Sequence, residues 1–93
     1  MNEEEAYAEE ARFLSLIEQP PEYEILVTVN STAWDDEDTG EEMEEWFVGL
    51  GWHAWVNGHE IGNAVAIDHT GMSWDNIRNM MERSYQDTRV RFP

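Results

Sequence analysis

The chain reads as an α+β domain: a leading helix, then strand, helix, strand, strand, helix and strand. Three observations lead there. An apolar stripe at helical spacing opens the sequence, an Asn57-Gly58 dipeptide separates two strand-like runs, and a further helical stripe lies on each side of that pair. With 93 residues there is enough chain for one modest core, so residues 1–93 are a single domain: a helix over 1–19 and a core over 22–93.

Between residues 2 and 18, Tyr7, Ala11, Leu14 and Ile17 recur at helical spacing and leave Glu3, Glu4, Glu5, Glu9 and Glu10 to the solvent side. Early glutamates suit the positive end of a helix dipole, and Pro20-Pro21 stops the helix. Residues 24–30 are rich in β-branched side chains and form the first strand. Residues 34–40 are a loop, and the Thr39-x-x-Glu42 spacing fits a capping box for the next helix. In that helix Met43, Trp46, Phe47 and Leu50 share one face, with Glu41, Glu42, Glu44 and Glu45 opposite and Gly49 and Gly51 at its end. The runs 52–56 and 59–69 form a hairpin through Asn57-Gly58, because both central residues of a type I′ turn need positive φ. In this register Val56 faces His59 and His53 faces Gly62, and Gly62-Asn63 marks a bulge. Ser73 caps a last helix with the stripe Trp74, Ile77, Met81 and Tyr85, and residues 88–92 alternate as an edge strand. After the leading helix this is the ferredoxin-like β-α-β-β-α-β order, two helices over a four-stranded antiparallel sheet.

Charge is divided unevenly along this plan. Residues 1–46 hold 16 of the 21 acidic side chains against Arg12 alone, whereas residues 47–93 hold five acids and four arginines. Crowded carboxylates repel one another and cost the compact state stability, so a fold that gathers them uses the field to attract something cationic. Lysine and cysteine are absent, which excludes disulfides, thiolate metal sites and a cysteine nucleophile. The opening Met1-Asn2-Glu3-Glu4-Glu5 is the reverse of a basic signal-peptide start, and no apolar run approaches the roughly 20 residues of a membrane span. These features predict a soluble cytoplasmic protein that avoids anionic membranes and does not itself bind nucleic acid.

Carboxylates four apart on a helix, such as Glu41 with Glu45 and Glu5 with Glu9, are separated by about 6 Å of rise, close to the spacing of phosphates on a nucleic-acid strand. A calcium loop fits poorly: with Gly40 sixth, Asp35, Glu37 and Thr39 take the first three ligand positions, but the twelfth, which must be a bidentate glutamate, is Trp46. His53, His59 and His69, with Asp68 beside the last, do not converge in the hairpin register, so no metal or other cofactor is expected. No nucleophile motif or glycine-rich phosphate loop is present, and an enzyme is not expected. Trp46, Trp52, Trp55 and Trp74 belong mostly to the core, whereas Trp34, on the acidic loop, is the best candidate for an interface anchor.

Glu3-Glu4-Glu5, Asp35-Asp36-Glu37-Asp38 and Glu41-Glu42-Met43-Glu44-Glu45 carry a resemblance to the acidic nucleic-acid-mimicking inhibitors that bacteriophages direct against CRISPR effectors and restriction enzymes. The resemblance lies in size, acidity and lack of motifs, and such inhibitors share no fold. It implies a monomeric or homodimeric anti-CRISPR or anti-restriction DNA mimic, working in the host cytoplasm if phage-encoded. Such a mimic blocks a basic nucleic-acid-binding protein by steric and electrostatic competition, through Glu5, Glu9, Trp34, Asp35, Asp36, Glu37, Asp38, Glu41, Glu42, Glu44 and Glu45. The competing reading is a general protein-interaction domain, possible as a homodimer, whose acidity reflects a high-salt cytoplasm.

Overall fold

The computed structural model describes residues 1–66 and 72–93. Helix α1 (Glu3–Leu16) precedes three strands, β1 (Glu24–Asp35), β2 (Glu42–Val56) and β3 (His59–Ala66), and helix α2 (Trp74–Arg89) follows them. The strands form one antiparallel sheet in the order β1-β2-β3. Packed on the same sheet face, α1 lies over β1 and β2, and α2 over β3 and β2.

This is not the ferredoxin-like arrangement. The sheet has three strands rather than four, and the helices flank it in sequence instead of alternating with strands. The main cause lies in residues 42–56, where the expected helix is the first part of a 15-residue strand. Trp46, Val48, Leu50, Trp52 and Ala54 alternate along it with residues of the opposite face, so a period of two runs through the same segment as the helical stripe. Helix preference in the glutamate-rich part amounts to a few tenths of a kcal/mol per residue. A strand here gives every residue of the 12-residue β1 an antiparallel partner and buries Val48, Leu50, Trp52 and Ala54, which outweighs that preference.

The fourth strand is also absent. Residues 88 and 89 continue α2, Val90 caps it in the right-handed helical region, and Arg91 and Phe92 donate back to the Thr88 and Arg89 carbonyls. The tail is then tied to the β2–β3 turn by Asn57 Nδ2, which donates to the Phe92 carbonyl at 2.7 Å.

Other expectations hold or shift by small amounts. Asn57 and Gly58 have φ of 52° and 82°, with Val56 opposite His59 and His53 opposite Gly62 as the type I′ turn requires. The register irregularity falls at Leu50 and Gly51, which face Ala66 and Ala64, and not at Gly62-Asn63. Residues 67–69 of the expected second hairpin strand, Asp68 and His69 included, lie outside the described residues. Ser73 caps α2 by accepting from the Asn76 N–H, and Ile77, Met81 and Tyr85 are buried with Trp74 half-buried beside them. In α1, Asn2 and Glu5 form a reciprocal capping box. Its buried side chains are Ala6 and Phe13, while Tyr7, Ala11 and Leu14 are exposed and Ile17 is half-buried. The helical period was legible, but the stripe is turned by one residue, which brings small Ala6 and large Phe13 onto the sheet.

Trp52 lies at the centre of the core, edge-on to Tyr85 at 5.5 Å and to Tyr23 at 6.2 Å, with its indole N–H donated to Ser84 Oγ at 2.9 Å. The Tyr23 hydroxyl donates to Glu82 Oε2 at 2.8 Å. Hydrogen bonds from Gln86 and then Tyr23 hold the Glu82 carboxyl below its ordinary 4.5, and burial with the Glu82 contact pushes the Tyr23 phenol well above 10. A carboxyl depressed in the folded state adds stability above its unfolded value and loses it as the pH falls through the folded value.

Tyr23→Phe should therefore lower stability at neutral pH by about 0.5–1.5 kcal/mol, and the gap to the parent should narrow in urea titrations run below pH 4.5. A Cβ on Gly51 would lie 2.6 Å from the Asn63 carbonyl oxygen, a backbone atom, whereas one on Gly49 would meet side-chain atoms, the Thr28 hydroxyl at 2.8 Å and Asn30 Nδ2 at 4.0 Å. Gly51→Ala is expected to cost about 1–3 kcal/mol in urea unfolding. Gly49→Ala should cost clearly less, because the Thr28 side chain can rotate away.

Candidate functional site

β1 and β2 outrun the core. Beyond Val29 and Val48 the ladder continues from Ser31 opposite Trp46 to Asp35 opposite Glu42, and residues 30–35 and 41–45 are exposed. Five such pairs make an arm about 17 Å long, and the whole molecule extends 53 Å in its longest dimension.

The tip is closed by an ordered turn. Asp36 N–H donates to the Glu41 carbonyl and Gly40 N–H to the Asp36 carbonyl, each at 2.8 Å, with Gly40 at φ 70°. Asp36 Oδ1 also accepts from the Asp38 and Thr39 N–H groups. Thr39 Oγ1 accepts from Glu41 N–H and caps no helix. The base of the arm is fastened to the start of α1: Trp46 N–H donates to the Met1 carbonyl at 3.0 Å, and the Met1 ammonium lies 2.7 Å from Glu45 Oε1. That hydrogen bond, with the charges of Glu45 and Glu5, raises the affinity of the Met1 amine for its proton.

Because the Trp46 N–H and carbonyl face Met1, they turn away from β1. Ser31–Trp46, Ala33–Glu44 and Asp35–Glu42 are thus non-hydrogen-bonded pairs, with Cα atoms about 4.5 Å apart and their side chains close. Asp35, Glu42 and Glu44 project on the side of the sheet that carries the helices, and Trp34, Met43 and Glu45 on the other. Like charges directly opposite destabilise a ladder, so the Asp35–Glu42 pair opposes the arm's own stability.

The sequence-derived site is partly assembled here. Asp35, Asp36, Glu37, Asp38, Glu41, Glu42, Glu44 and Glu45 lie on the arm, and Glu5 is brought near by the Met1 contacts. Glu9 is not free, since it pairs with Arg12, and Asp36 is engaged in its own turn. Glu44 accepts from the Trp46 indole N–H. Among the described residues Asp35, Glu37, Asp38, Glu41 and Glu42 have no side-chain hydrogen bond or ion pair. The helical spacing of Glu41 and Glu45 does not exist; on a strand those residues stand about 13 Å apart. Trp34, 48% exposed, faces outward beside Met43. Met43 was expected in a buried stripe, and the two-residue alternation of β2 was the signal that would have placed it outside.

No arginine or lysine occurs between Arg12 and Arg78, so the entire sheet lacks a cationic side chain other than histidine. The remaining arginines are on α2 and the tail after it, interleaved with Asp75, Glu82 and Asp87. Among the described residues no three His, Cys, Asp or Glu side chains converge as a metal site would require, and no helix is long and apolar enough to cross a membrane. No family model, curated protein or solved structure matches the chain.

Asp35→Asn is expected to stabilise the fold by about 0.2–1 kcal/mol in low-salt thermal unfolding, by removing one member of the like-charged pair. The gain should shrink at about 1 M salt, where exposed charges are screened within ~3 Å.

Proposed function

We propose that the protein is an inhibitor that imitates nucleic acid and occupies the binding cleft of a basic nucleic-acid-binding protein, such as a CRISPR effector or a restriction enzyme. One observation carries this reading: the acidic arm is an ordered two-stranded ladder projecting from the core with no arginine or lysine on it. Side chains two apart on a strand, such as Glu42 and Glu44, are separated by about 6.7 Å. That is of the order of the distance between successive phosphates, whose axial rise of about 3.4 Å is lengthened by the helical path. An arm about 10 Å across is narrow enough for a cleft built around a nucleic-acid strand, and the paired backbone keeps its charges in place.

The mechanism is competition without catalysis or cofactor. The field of the arm and of Glu3, Glu4 and Glu5 speeds encounter with a cationic cleft, and burial of Trp34 and Met43 slows release. The reading as an interaction domain acidified by a salty cytoplasm has less support, because that pressure acts on all exposed surface and α2 carries both signs of charge.

The test is capture from a lysate rich in nucleic-acid enzymes, with the parent chain and with Glu41, Glu42, Glu44 and Glu45 all changed to Gln. The parent should retain basic nucleic-acid-binding proteins and release them to added nucleic acid or salt. The variant should retain at least tenfold less while melting at an equal or higher temperature. Equal capture by the variant, or capture indifferent to nucleic acid, would reject the proposal.

A further inference from the structure

Both helices lie on one face of the sheet, and no helix or strand among the described residues covers the other. An antiparallel sheet with one solvated face ordinarily shows polar side chains there. Here Leu26 on β1, Phe47 and Trp55 on β2 and Ala64 on β3 point outward among glycines and polar neighbours. Trp55 is 65% exposed and Leu26 39%. Between Leu26 and Phe47, with Gly49 and Gly51 as its floor and Ala64 at its side, runs an apolar depression of about 240 Å³. A contiguous exposed apolar patch rimmed by polar residues is the form an interaction site takes.

Charge selects the occupant. The face has Glu24 toward one end, Glu45 toward the other and Glu60 beside Trp55, and no arginine or lysine. Among the described residues the only other titratable group on it, His53, is held by Glu60 at 2.9 Å. A second copy would oppose acidic rim to acidic rim, at a formal net charge of −16 per chain.

We propose that this face docks a basic amphipathic helix of a partner protein. Its apolar stripe would enter the depression between Leu26 and Phe47 and cover Trp55, while lysines or arginines on its flanks reach Glu24, Glu45 and Glu60. The dimensions agree. Three strands make a surface about 10–14 Å wide, the diameter of one helix, and the same sheet already packs helices on its opposite face. Glu24 and Glu45 lie about 27 Å apart along the strands, the length of about 18 helical residues. The inference does not require the arm to imitate nucleic acid: Leu26, Phe47 and Trp55 lie on the face opposite to Asp35, Glu42 and Glu44, and Glu45, with Trp34 and Met43 farther out, is common to both surfaces.

The probe is a fluorescently labelled 18-residue helical peptide of leucine and lysine, with leucines at i, i+3, i+4 and i+7, compared with a scrambled peptide of identical composition. Anisotropy is read at about 0.15 M salt, where the Debye length is ~8 Å. The patterned peptide should bind at least tenfold more tightly than the scrambled one. Leu26→Thr with Trp55→Thr should remove that difference with an unchanged melting temperature, while Glu42→Gln with Glu44→Gln should leave it within twofold. Equal binding of the two peptides would overturn the proposal, because charge alone would then explain it. So would sedimentation as a dimer that the Leu26→Thr, Trp55→Thr variant dissociates, which would make a second copy the occupant. Glu42→Gln with Glu44→Gln, which spares Glu45 on the docking face, reports separately on the inhibitor reading when carried through the capture experiment.

Discussion

The pairing of β1 with β2 is the constraint on which the rest of the molecule depends. One ladder, from Glu24 opposite His53 to Asp35 opposite Glu42, holds the core at one end and the acidic arm at the other. Ile25, Leu50 and Trp52 are buried where the helices cover it, Tyr7 of α1 still meets Trp46 opposite Ser31, and from Thr32 outward no described residue covers it. The arm is therefore ordered by the backbone it shares with the core rather than by burial of its own side chains. Local stability should decline along it, since few apolar contacts support the outer pairs.

That arrangement carries an electrostatic cost which the fold accepts rather than relieves. Arginines that could neutralise the arm are placed on α2 and the tail after it, and Arg12 is engaged with Glu9. Three devices oppose the repulsion: the main-chain ladder, the Asp36 turn at the tip, and the Met1 contacts with Glu45 and Trp46 at the base. The contacts at the base also place Glu5 close to the arm, so charge from two distant parts of the chain adds to one field. The opposite sheet face repeats the theme in a milder form, with an apolar centre and carboxylates at its margins.

Local sequence signals specify the structure where one interaction determines it. Asn57-Gly58 specified the turn and the register of β2 with β3, and Ser73 with Ile77, Met81 and Tyr85 specified α2. Residues 42–50 are ambiguous in sequence because two periods overlap there: Met43, Trp46, Phe47 and Leu50 fit a helix, and Trp46, Val48 and Leu50 fit a strand. Only the length of β1, which needs a partner along all 12 residues, decides between them, and that is a tertiary fact. The acidic residues of the site were legible as a set, but their geometry was not. Strand alternation divides Glu42 and Glu44 from Glu45; Glu9 is taken by Arg12, a partner that i,i+3 helical spacing makes legible, and Asp36 by its own turn, which spacing does not show.

The most direct test is a nuclear Overhauser measurement between α-protons across the arm. In non-hydrogen-bonded antiparallel pairs the Cα atoms approach to about 4.5 Å, so strong cross-peaks should join Ser31 to Trp46, Ala33 to Glu44 and Asp35 to Glu42. Their absence, with amide-to-amide contacts running from Glu41 to Leu50 as in a helix, would contradict the account and remove the arm on which the proposed inhibition rests.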